Sequence, residues 1–298
     1  MTYPDSELII NEDGSAFHLH IKPEHLADNV ILVGDPGRVD MVSGYFDSIE
    51  ATAENREFRS ATGTYKGKRF TVLSTGIGCD NIDIVLNELD ALANIDFNTR
   101  DDKPQHRTLN IVRIGTCGGM QPHTPVGTCI VSEMSLGFDG LLNFYGRREE
   151  ACDIAFENAF LQHMHWTGYQ CIAHPYAVHA DEELTARICG NDFVRGITIA
   201  CGGFYGPQGR RLRAPLADPE ANDKIRAFRY TAPDGQEKCF TNFEMESSAL
   251  AGLAAHLGHD ATTVCCIIAN RYAGESNTDY KPHVMGLVKG VLDRLAGF

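Results

Sequence analysis

The sequence predicts an α/β fold made as a single domain over residues 1–298. Short apolar runs of strand length alternate with segments of helical periodicity from one end of the chain to the other. The apolar runs are continuous, which is typical of strands covered on both faces by helices. No repeat or low-complexity stretch interrupts the pattern. We therefore expect a three-layer α/β/α domain around a largely parallel or mixed sheet.

The elements of the first half follow in order. Residues 30–33 form an apolar run that predicts a buried strand, and residues 70–73 predict a second strand that ends in Ser74-Thr75-Gly76-Ile77-Gly78. Residues 109–114 predict a third strand. Between the last two, an amphipathic helix is predicted because apolar residues recur at helical spacing, namely Ile82, Val85, Leu86, Leu89 and Leu92.

The second half continues the alternation. Strands are predicted at residues 127–131, 196–200 and 262–269. Helices are predicted at residues 244–257 and 284–295. The apolar stripe of the first of these helices is Met245, Ala249, Leu253 and Leu257, which would bury Met245 and leave Glu244 and Glu246 on separate faces.

Two segments fall outside this pattern. The polar residues 98–107 predict a surface insertion. Residues 202–218 predict a long loop rich in Gly, Pro and Arg, of the kind that often forms a lid or a binding loop.

The composition restricts the class of partner. The chain has 298 residues, 43% of them hydrophobic and 22% charged, with a net charge of −14. Such an acidic balance argues against nucleic acid and anionic membranes as partners, since both select basic surfaces. No apolar run approaches the length of a membrane span, and the first residues lack the pattern of a signal peptide, so we expect a cytoplasmic protein.

The cysteine and histidine spacings do not predict a metal site. None of the 10 cysteines forms a Cys-x-x-Cys pair, and His163 and His165 have no ligand-type partner at a suitable spacing. Free thiols in a reducing compartment are the expected state.

Three arginine-bearing segments predict an anion site. Gly34-Asp35-Pro36-Gly37-Arg38 and Arg113-Ile114-Gly115-Thr116 follow apolar runs, and Asn55-Arg56-Glu57-Phe58 lies between them. Arginine suits phosphate oxygens, and glycine lets backbone N–H groups approach an anion closely. We therefore expect the Arg38 and Arg113 guanidiniums where two strands end, around a small anion. Taken alone, the first segment could equally be an ordinary strand-to-helix turn.

Two further segments have both a purely structural and a functional interpretation. Glu244-Met245-Glu246 could simply cap a helix, or a carboxylate there could accept hydrogen bonds from the vicinal hydroxyls of a ribose. The loop from Phe204 to Arg210 could be merely solvated, or its aromatic, amide and guanidinium groups could bind a pyrimidine edge. A dinucleotide site after Gly76-Ile77-Gly78 is disfavoured because Asn81 replaces the third glycine of that fingerprint.

Together these motifs resemble the nucleoside phosphorylase superfamily, and within it the uridine phosphorylases. The resemblance runs from about Phe17 to the C-terminal helix. The motifs that carry it, in order, are Gly-Asp-Pro-x-Arg, Arg-Glu-Phe, Ser-Thr-Gly-Ile-Gly, Arg-Ile-Gly-Thr, Phe-Tyr-x-x-Gln-x-Arg, Glu-Met-Glu-Ser and Asn-Arg. It implies the phosphorylase/hydrolase-like fold, with a partly barrel-like mixed sheet. It also implies reversible phosphorolysis of uridine to uracil and ribose 1-phosphate in pyrimidine salvage, with deoxyuridine and thymidine left open.

The resemblance also assigns roles to residues. Phosphate would be held by Gly34, Arg38, Arg56, Arg113 and Thr116; the ribose by His18, Met245 and Glu246; and uracil by Phe204, Gln208, Arg210 and Arg271. His18 and Arg56 would reach across the interface of a homodimer or a larger homo-oligomer. No organic cofactor is implied, because inorganic phosphate is a substrate.

The sequence departs from the family pattern at three places. Cys117 stands where a second hydroxyl residue is common, and Phe243 stands where bacterial members have Tyr. Cys79-Asp80-Asn81 puts an alkali cation at the subunit interface in doubt. The alternatives are a purine nucleoside phosphorylase, a hydrolase, or a nucleoside-binding sensor without turnover. Purine-specific relatives usually carry an Asp near Asn270-Arg271.

Overall fold

The structure, a computed structural model, describes residues 2–166 and 174–297. The helices of at least seven residues are α1 (Gly37–Ser43), α2 (Cys79–Asn94), α3 (Ile154–Met164), α4 (Glu182–Cys189), α5 (Ala221–Ala227), α6 (Ser247–Leu257) and α7 (Lys281–Ala296). The strands are β1 (Asn29–Val33), β2 (Ser48–Asn55), β3 (Phe58–Tyr65), β4 (Lys68–Ser74), β5 (Ile95–Asp96), β6 (Asp101–Asp102), β7 (Asn110–Gly119), β8 (Cys129–Gly137), β9 (Tyr176–His179), β10 (Val194–Ala200), β11 (Tyr230–Thr231), β12 (Glu237–Lys238), β13 (Phe240–Glu244), β14 (Asp260–Asn270) and β15 (Glu275–Ser276).

Part of the main sheet closes into a barrel. Strand β14 pairs with both β8 and β7, while β8 pairs with β10, β10 with β13, and β13 with β7. From β7 the sheet continues outward through β1, β4, β3 and β2. Most pairings near the barrel are parallel, but β13 meets β7 and β14 meets β8 in antiparallel fashion. The expected mixed, partly barrel-like sheet is confirmed.

Helices cover both faces of this sheet. Helices α1, α4 and α7 bury Val39, Leu184 and Leu287 in one core with the strands. Helices α2 and α6 bury Leu86 and Leu250 in a second core on the other side. A third core, rich in aromatic rings from α3 and α5, fills the space beside β10 and β13. The three-layer prediction is therefore confirmed. Among the described residues, no helix combines the length and apolar character needed to cross a bilayer.

Several predicted boundaries are wrong in an instructive way. The strand predicted at residues 109–114 continues to Gly119, and the one predicted at 127–131 runs over Cys129–Gly137. The apolar run is interrupted by Ser132, which is why the sequence does not predict the second extension. The Ser132 side chain is nevertheless buried, and its hydroxyl hydrogen-bonds the Thr198 hydroxyl at 2.6 Å. Residues 98–107 lie on the surface as predicted, with β5 and β6 forming a short hairpin there.

Candidate active site

A cavity of about 790 Å³ opens at the carboxyl ends of β1, β4, β7 and β13. Loops that follow parallel strands converge at one edge of a sheet, which is where α/β proteins commonly bind ligands. Nine of the predicted site residues line this cavity: Gly34, Arg38, Arg113, Thr116, Phe204, Gln208, Arg210, Met245 and Glu246. The structure thus brings together residues that are more than 200 positions apart in sequence.

One end of the cavity is formed by the turn after β1. Arg38 lies in the first turn of α1, half-buried, and no carboxylate pairs with its guanidinium among the described residues. The Asp35 carboxylate instead accepts the Gly37 N–H at 2.8 Å. Thr116 presents a half-buried side chain from β7. This end therefore offers an uncompensated positive charge and a hydroxyl group.

Arg113 is placed differently from the prediction. It lies in the middle of β7, not at a strand end, and it is 5% exposed. Its Nη1 donates to Glu244 Oε2 at 3.2 Å, and its Nη2 donates to Glu246 Oε2. Burial lowers the pKa of the guanidinium, but the charges of Glu246 and Glu244 outweigh burial and raise that pKa. Arg113 is therefore a permanent cation held between two carboxylates.

The expectation that those two carboxylates occupy separate helix faces is wrong. Helix α6 begins at Ser247, and Glu244 is the last residue of β13. The Glu244 carboxylate accepts the N–H groups of Glu246 at 2.9 Å and Ser247 at 3.0 Å, so it caps the helix from outside while it binds Arg113. Burial raises the pKa of Glu244, and Arg113 opposes that rise.

Glu246 lines the cavity beside Arg113. Its Oε1 accepts the Gly78 N–H at 2.7 Å, which ties it to the loop after β4. Met245 is half-buried and lines the cavity, so it is not the core residue that a helical stripe implied. The Met245 carbonyl accepts a hydrogen bond from the Cys79 thiol at 3.1 Å.

The other end of the cavity is the loop after β10. Gln208 is 2% exposed, and its side-chain oxygen accepts a hydrogen bond from Arg210 Nη1. The same guanidinium donates to the Phe204 carbonyl at 2.7 Å and stacks over the Phe204 ring, 3.8 Å from its centroid. Burial and the nearby charge of Arg271 lower the pKa of Arg210. This end is thus a planar amide–guanidinium pair beside an aromatic ring.

Arg271 lies outside the cavity lining. It donates to the Gln208 carbonyl at 2.6 Å and to the Gly209 carbonyl at 3.3 Å. In this structure Arg271 therefore stabilises the loop that carries Gln208 through hydrogen bonds to its backbone.

His18 and Arg56 do not line the cavity of their own chain. His18 Nδ1 lies 2.6 Å from Glu88 Oε1, and the His18 carbonyl accepts a hydrogen bond from Asn55 Nδ2 at 2.9 Å. Arg56 follows Asn55 in an exposed turn with φ of 55°. The two residues assigned to a neighbouring subunit therefore share one surface.

Several polar residues that line the cavity have no role assigned from the sequence, among them Glu57, Asn81 and Glu244. From the sequence, Glu244 is considered only as part of the Glu244-Met245-Glu246 segment, and Glu57 and Asn81 are not considered as site residues. Asn81 Nδ2 donates to Glu57 Oε1 at 3.1 Å along the cavity wall. Cys117 also lines the cavity, and burial raises the pKa of its thiol well above the usual range.

Comparison with known proteins agrees with this geometry. The model of the phosphorylase superfamily matches residues 28–296. The uridine phosphorylase of Thermococcus kodakarensis is 31% identical over 271 residues, which are 89% of this chain and 80% of the relative. The uridine phosphorylase of Salmonella typhimurium is 28% identical, with 86% of each chain covered.

A solved structure is also closely similar. The Trypanosoma brucei nucleoside phosphorylase described as showing uridine phosphorylase activity superposes with a TM-score of 0.88 at 32% identity, covering 98% of this chain and 100% of that one. With a family model that spans nearly the whole chain and a fold shared from end to end, this protein belongs to the phosphorylase superfamily.

Proposed function

We propose that this protein catalyses the reversible phosphorolysis of uridine to uracil and ribose 1-phosphate. The observation that carries the proposal is the set of groups that line one cavity: Arg38, which has no carboxylate partner among the described residues, the buried carboxylate of Glu246, and the amide–guanidinium pair of Gln208 and Arg210. These three groups match phosphate, ribose and uracil, the parts of a bound phosphate and uridine.

The phosphate end supplies the nucleophile. Arg38, Thr116 and the backbone of Gly34 would bind phosphate through charge-assisted and neutral hydrogen bonds. Holding the phosphate beneath C1′ converts a bimolecular attack into a step within one complex. As the C1′–N1 bond breaks and the phosphate oxygen bonds to C1′, the phosphate charge also stabilises the positive character that develops on the ribose.

The base end receives the electrons of the broken bond. Uracil leaves with negative charge spread over N1 and its carbonyl oxygens. Arg210 and the side-chain amide of Gln208 can donate to those acceptors as the charge grows, which lowers the barrier most in a desolvated site. Phe204 would pack against the pyrimidine ring.

Arg113 links the phosphate and ribose ends. Its Nη2 donates a hydrogen bond to Oε2 of Glu246, the proposed ribose-binding carboxylate, so this oxygen already has a donor. A bound phosphate would attract Arg113 and release that oxygen for the ribose hydroxyls. Arg113 Nη1 would still donate to Glu244. We therefore expect phosphate to increase the affinity for nucleoside.

The assembly is part of the proposal. His18 and Arg56 share a surface outside their own cavity, which fits a homodimer or larger homo-oligomer in which each copy completes its neighbour's site. Mixing an Arg38→Ala chain with an Arg56→Ala chain tests this. If Arg56 acts across the interface, hybrid dimers have one site with neither change and regain, at low phosphate, activity that each single variant has lost. No recovery in verified hybrids would contradict this arrangement.

One assay tests the activity itself. Uracil release from uridine is measured with and without phosphate, and inosine is offered under the same conditions. We expect release only with phosphate and a strong preference for uridine. Release without phosphate would indicate a hydrolase, a preference for inosine would indicate a purine phosphorylase, and binding without turnover would indicate a sensor.

A further inference from the structure

Two cysteines lie opposite each other on neighbouring strands of the barrel, and neither has a role in the proposed reaction. Cys129 of β8 and Cys266 of β14 are directly opposite partners in the antiparallel pairing of these strands. The neighbouring Ile267 N–H donates to the Thr128 carbonyl at 2.9 Å, so the hydrogen-bonded position lies one residue further along. Cys129 and Cys266 therefore occupy a non-hydrogen-bonded position, where side chains share a face.

That position suits a disulfide. Opposed residues at non-hydrogen-bonded sites have Cα atoms about 4.5 Å apart. Disulfides join cysteines whose Cα atoms are about 4.4–6.8 Å apart. The two thiols can thus be bridged without separating the strands.

The surroundings lower the pKa of one thiol of this pair. The opposed Cys129 thiol lowers the pKa of Cys266, burial opposes that effect, and the charge of Arg38 adds to it. The opposed Cys266 thiol and burial raise the pKa of Cys129. Cys266 is therefore the thiol that ionises more easily, and the charge of Arg38 favours its thiolate.

The two thiols differ in their exposure to solvent. Cys129 is half-buried at the start of β8, whereas Cys266 is fully buried. A small oxidant would reach Cys129 first, and Cys266 would stand behind it as the second thiol.

We propose that Cys129 and Cys266 form a site of reversible oxidation, in which a hydroperoxide converts the two opposed thiols into a cross-strand disulfide.

The chemistry balances with that one oxidant. When a proton passes from the Cys129 thiol to a Cys266 thiolate, the resulting Cys129 thiolate attacks one peroxide oxygen, the O–O bond breaks, and Cys129 becomes a sulfenic acid while hydroxide leaves. Cys266 gives its proton to that hydroxide and attacks the sulfenic sulfur. The S–S bond forms, the S–O bond breaks, and the second oxygen leaves as hydroxide, which takes up from solvent the proton that Cys266 released when it first ionised. Two thiols lose two electrons, and hydrogen peroxide becomes two molecules of water.

Other cysteines of the described chain provide contrasts. The thiols of Cys117 and Cys265 also lie near each other, but both residues are buried, and each lies opposite a different residue in the parallel pairing of β7 with β14. They provide a contrast in which neither thiol is exposed. Cys239 is half-buried like Cys129, but its neighbours are the charged groups of Arg229 and Glu237. Cys239 is therefore a matched control for exposure without an opposed thiol.

The experiment maps thiols on the intact protein and does not depend on turnover. The reduced protein is treated with hydrogen peroxide, alkylated, digested and analysed by mass spectrometry. We expect a linked peptide pair that contains Cys129 and Cys266, which dithiothreitol separates. In Cys239→Ser the linked pair should form as in the parent protein.

Single variants separate the two steps. In Cys266→Ser, we expect Cys129 to accumulate as a sulfenic acid that dimedone traps, because no second thiol can resolve it. In Cys129→Ser, we expect Cys266 to stay reduced behind the serine. The proposal is overturned if peroxide modifies other cysteines while no Cys129–Cys266 link forms, or if dimedone labels Cys129 equally in the parent protein and in Cys266→Ser.

Discussion

Arg113 and Glu244 form a buried ion pair that joins the proposed substrate site to the start of helix α6. The Arg113 Nη1 atom lies 3.2 Å from Glu244 Oε2, and the same carboxylate accepts N–H groups from the first residues of the helix. A buried charge needs both a partner and hydrogen bonds to be tolerated. Glu244 provides both, so Arg113 keeps its position before any substrate arrives.

The first prediction concerns Gly115, whose lack of a side chain leaves room for the Arg113 guanidinium. A Cβ atom at residue 115 would lie 2.6 Å from Arg113 Nη1 and 2.9 Å from Cys265 Sγ. Gly115→Ala should therefore displace the guanidinium and lower kcat/KM for uridine by at least about tenfold, since one lost charge-assisted hydrogen bond is worth about 1.5–3 kcal/mol. Steady-state kinetics measure the effect.

Gly146→Ala is the control for that change, because a Cβ atom there meets nothing within 4 Å. It should behave as the parent protein in both activity and thermal unfolding. Parent-like kinetics in Gly115→Ala would show that the space around Arg113 is not critical.

Arg38 gives the second prediction, because it lines the cavity without an ion-pair partner among the described residues. Arg38→Ala should raise the KM for phosphate by about tenfold or more, through loss of a charge-assisted contact. The midpoint of thermal unfolding should stay unchanged, since no ion pair is broken. Phosphate titrations at saturating uridine, together with thermal unfolding, give both values.

Arg187→Ala removes the same charge from the exposed surface of helix α4 and serves as the control. Equal phosphate KM values in the two variants would contradict a phosphate role for Arg38.

Much of this fold could be predicted from local sequence, because the strands β1, β4 and β14 are continuous apolar runs and α2 has a clear helical stripe. Such patterns depend on neighbours in sequence alone. The start of α6 could not be predicted in the same way. Glu244 has the composition of a first-turn residue, yet it ends a strand because its carboxylate caps the helix and binds Arg113, which is 131 residues away.

The candidate site shows the same division. The resemblance carried by the motifs predicted twelve site residues, and nine of them line one cavity in the structure. The sequence could not predict that Arg113 lies within β7. A charged residue is tolerated there because closure of the barrel brings the carboxylates of Glu244 and Glu246 next to its guanidinium. Nor could the sequence predict that Arg271 holds backbone carbonyls of the base-end loop, which depends on the loop's conformation.

Arg271 gives the third prediction, as a positioning residue for Gln208. Its two hydrogen bonds to the carbonyls of Gln208 and Gly209 hold the loop that carries Gln208 into the cavity. Arg271→Ala should raise the KM for uridine by up to about thirtyfold, because two hydrogen bonds worth about 1 kcal/mol each are lost. The KM for phosphate should change little.

Arg271→Lys refines the same test. Lysine keeps the charge but lacks the planar fork that reaches two carbonyls, so recovery should be partial. A rise in phosphate KM as large as the rise in uridine KM would indicate a general loss of structure and would rule out the positioning role.

The fourth prediction concerns pH and lies far from the cavity, at Asp293 of α7. Its carboxylate accepts hydrogen bonds from Lys289 at 2.6 Å, Lys66 at 2.8 Å and the Tyr65 hydroxyl at 2.7 Å, and these hold its pKa well below the usual value. A carboxyl group whose pKa is lower in the folded state stabilises the protein above its unfolded pKa, near 4. That contribution disappears as the pH falls through the folded pKa.

Asp293→Asn should therefore lower the free energy of unfolding by about 1 kcal/mol at pH 7, the upper range for a partly exposed ion-pair cluster. At pH 3 the difference from the parent protein should be smaller, because the carboxyl group of the unfolded parent chain then takes up a proton, which removes part of the same stabilisation. Urea unfolding at the two pH values measures both differences. Asp234→Asn, in an exposed turn, should show no such pH dependence. A difference for Asp293→Asn that is as large at pH 3 as at pH 7 would mean that shape, and not charge, accounts for the contribution of Asp293.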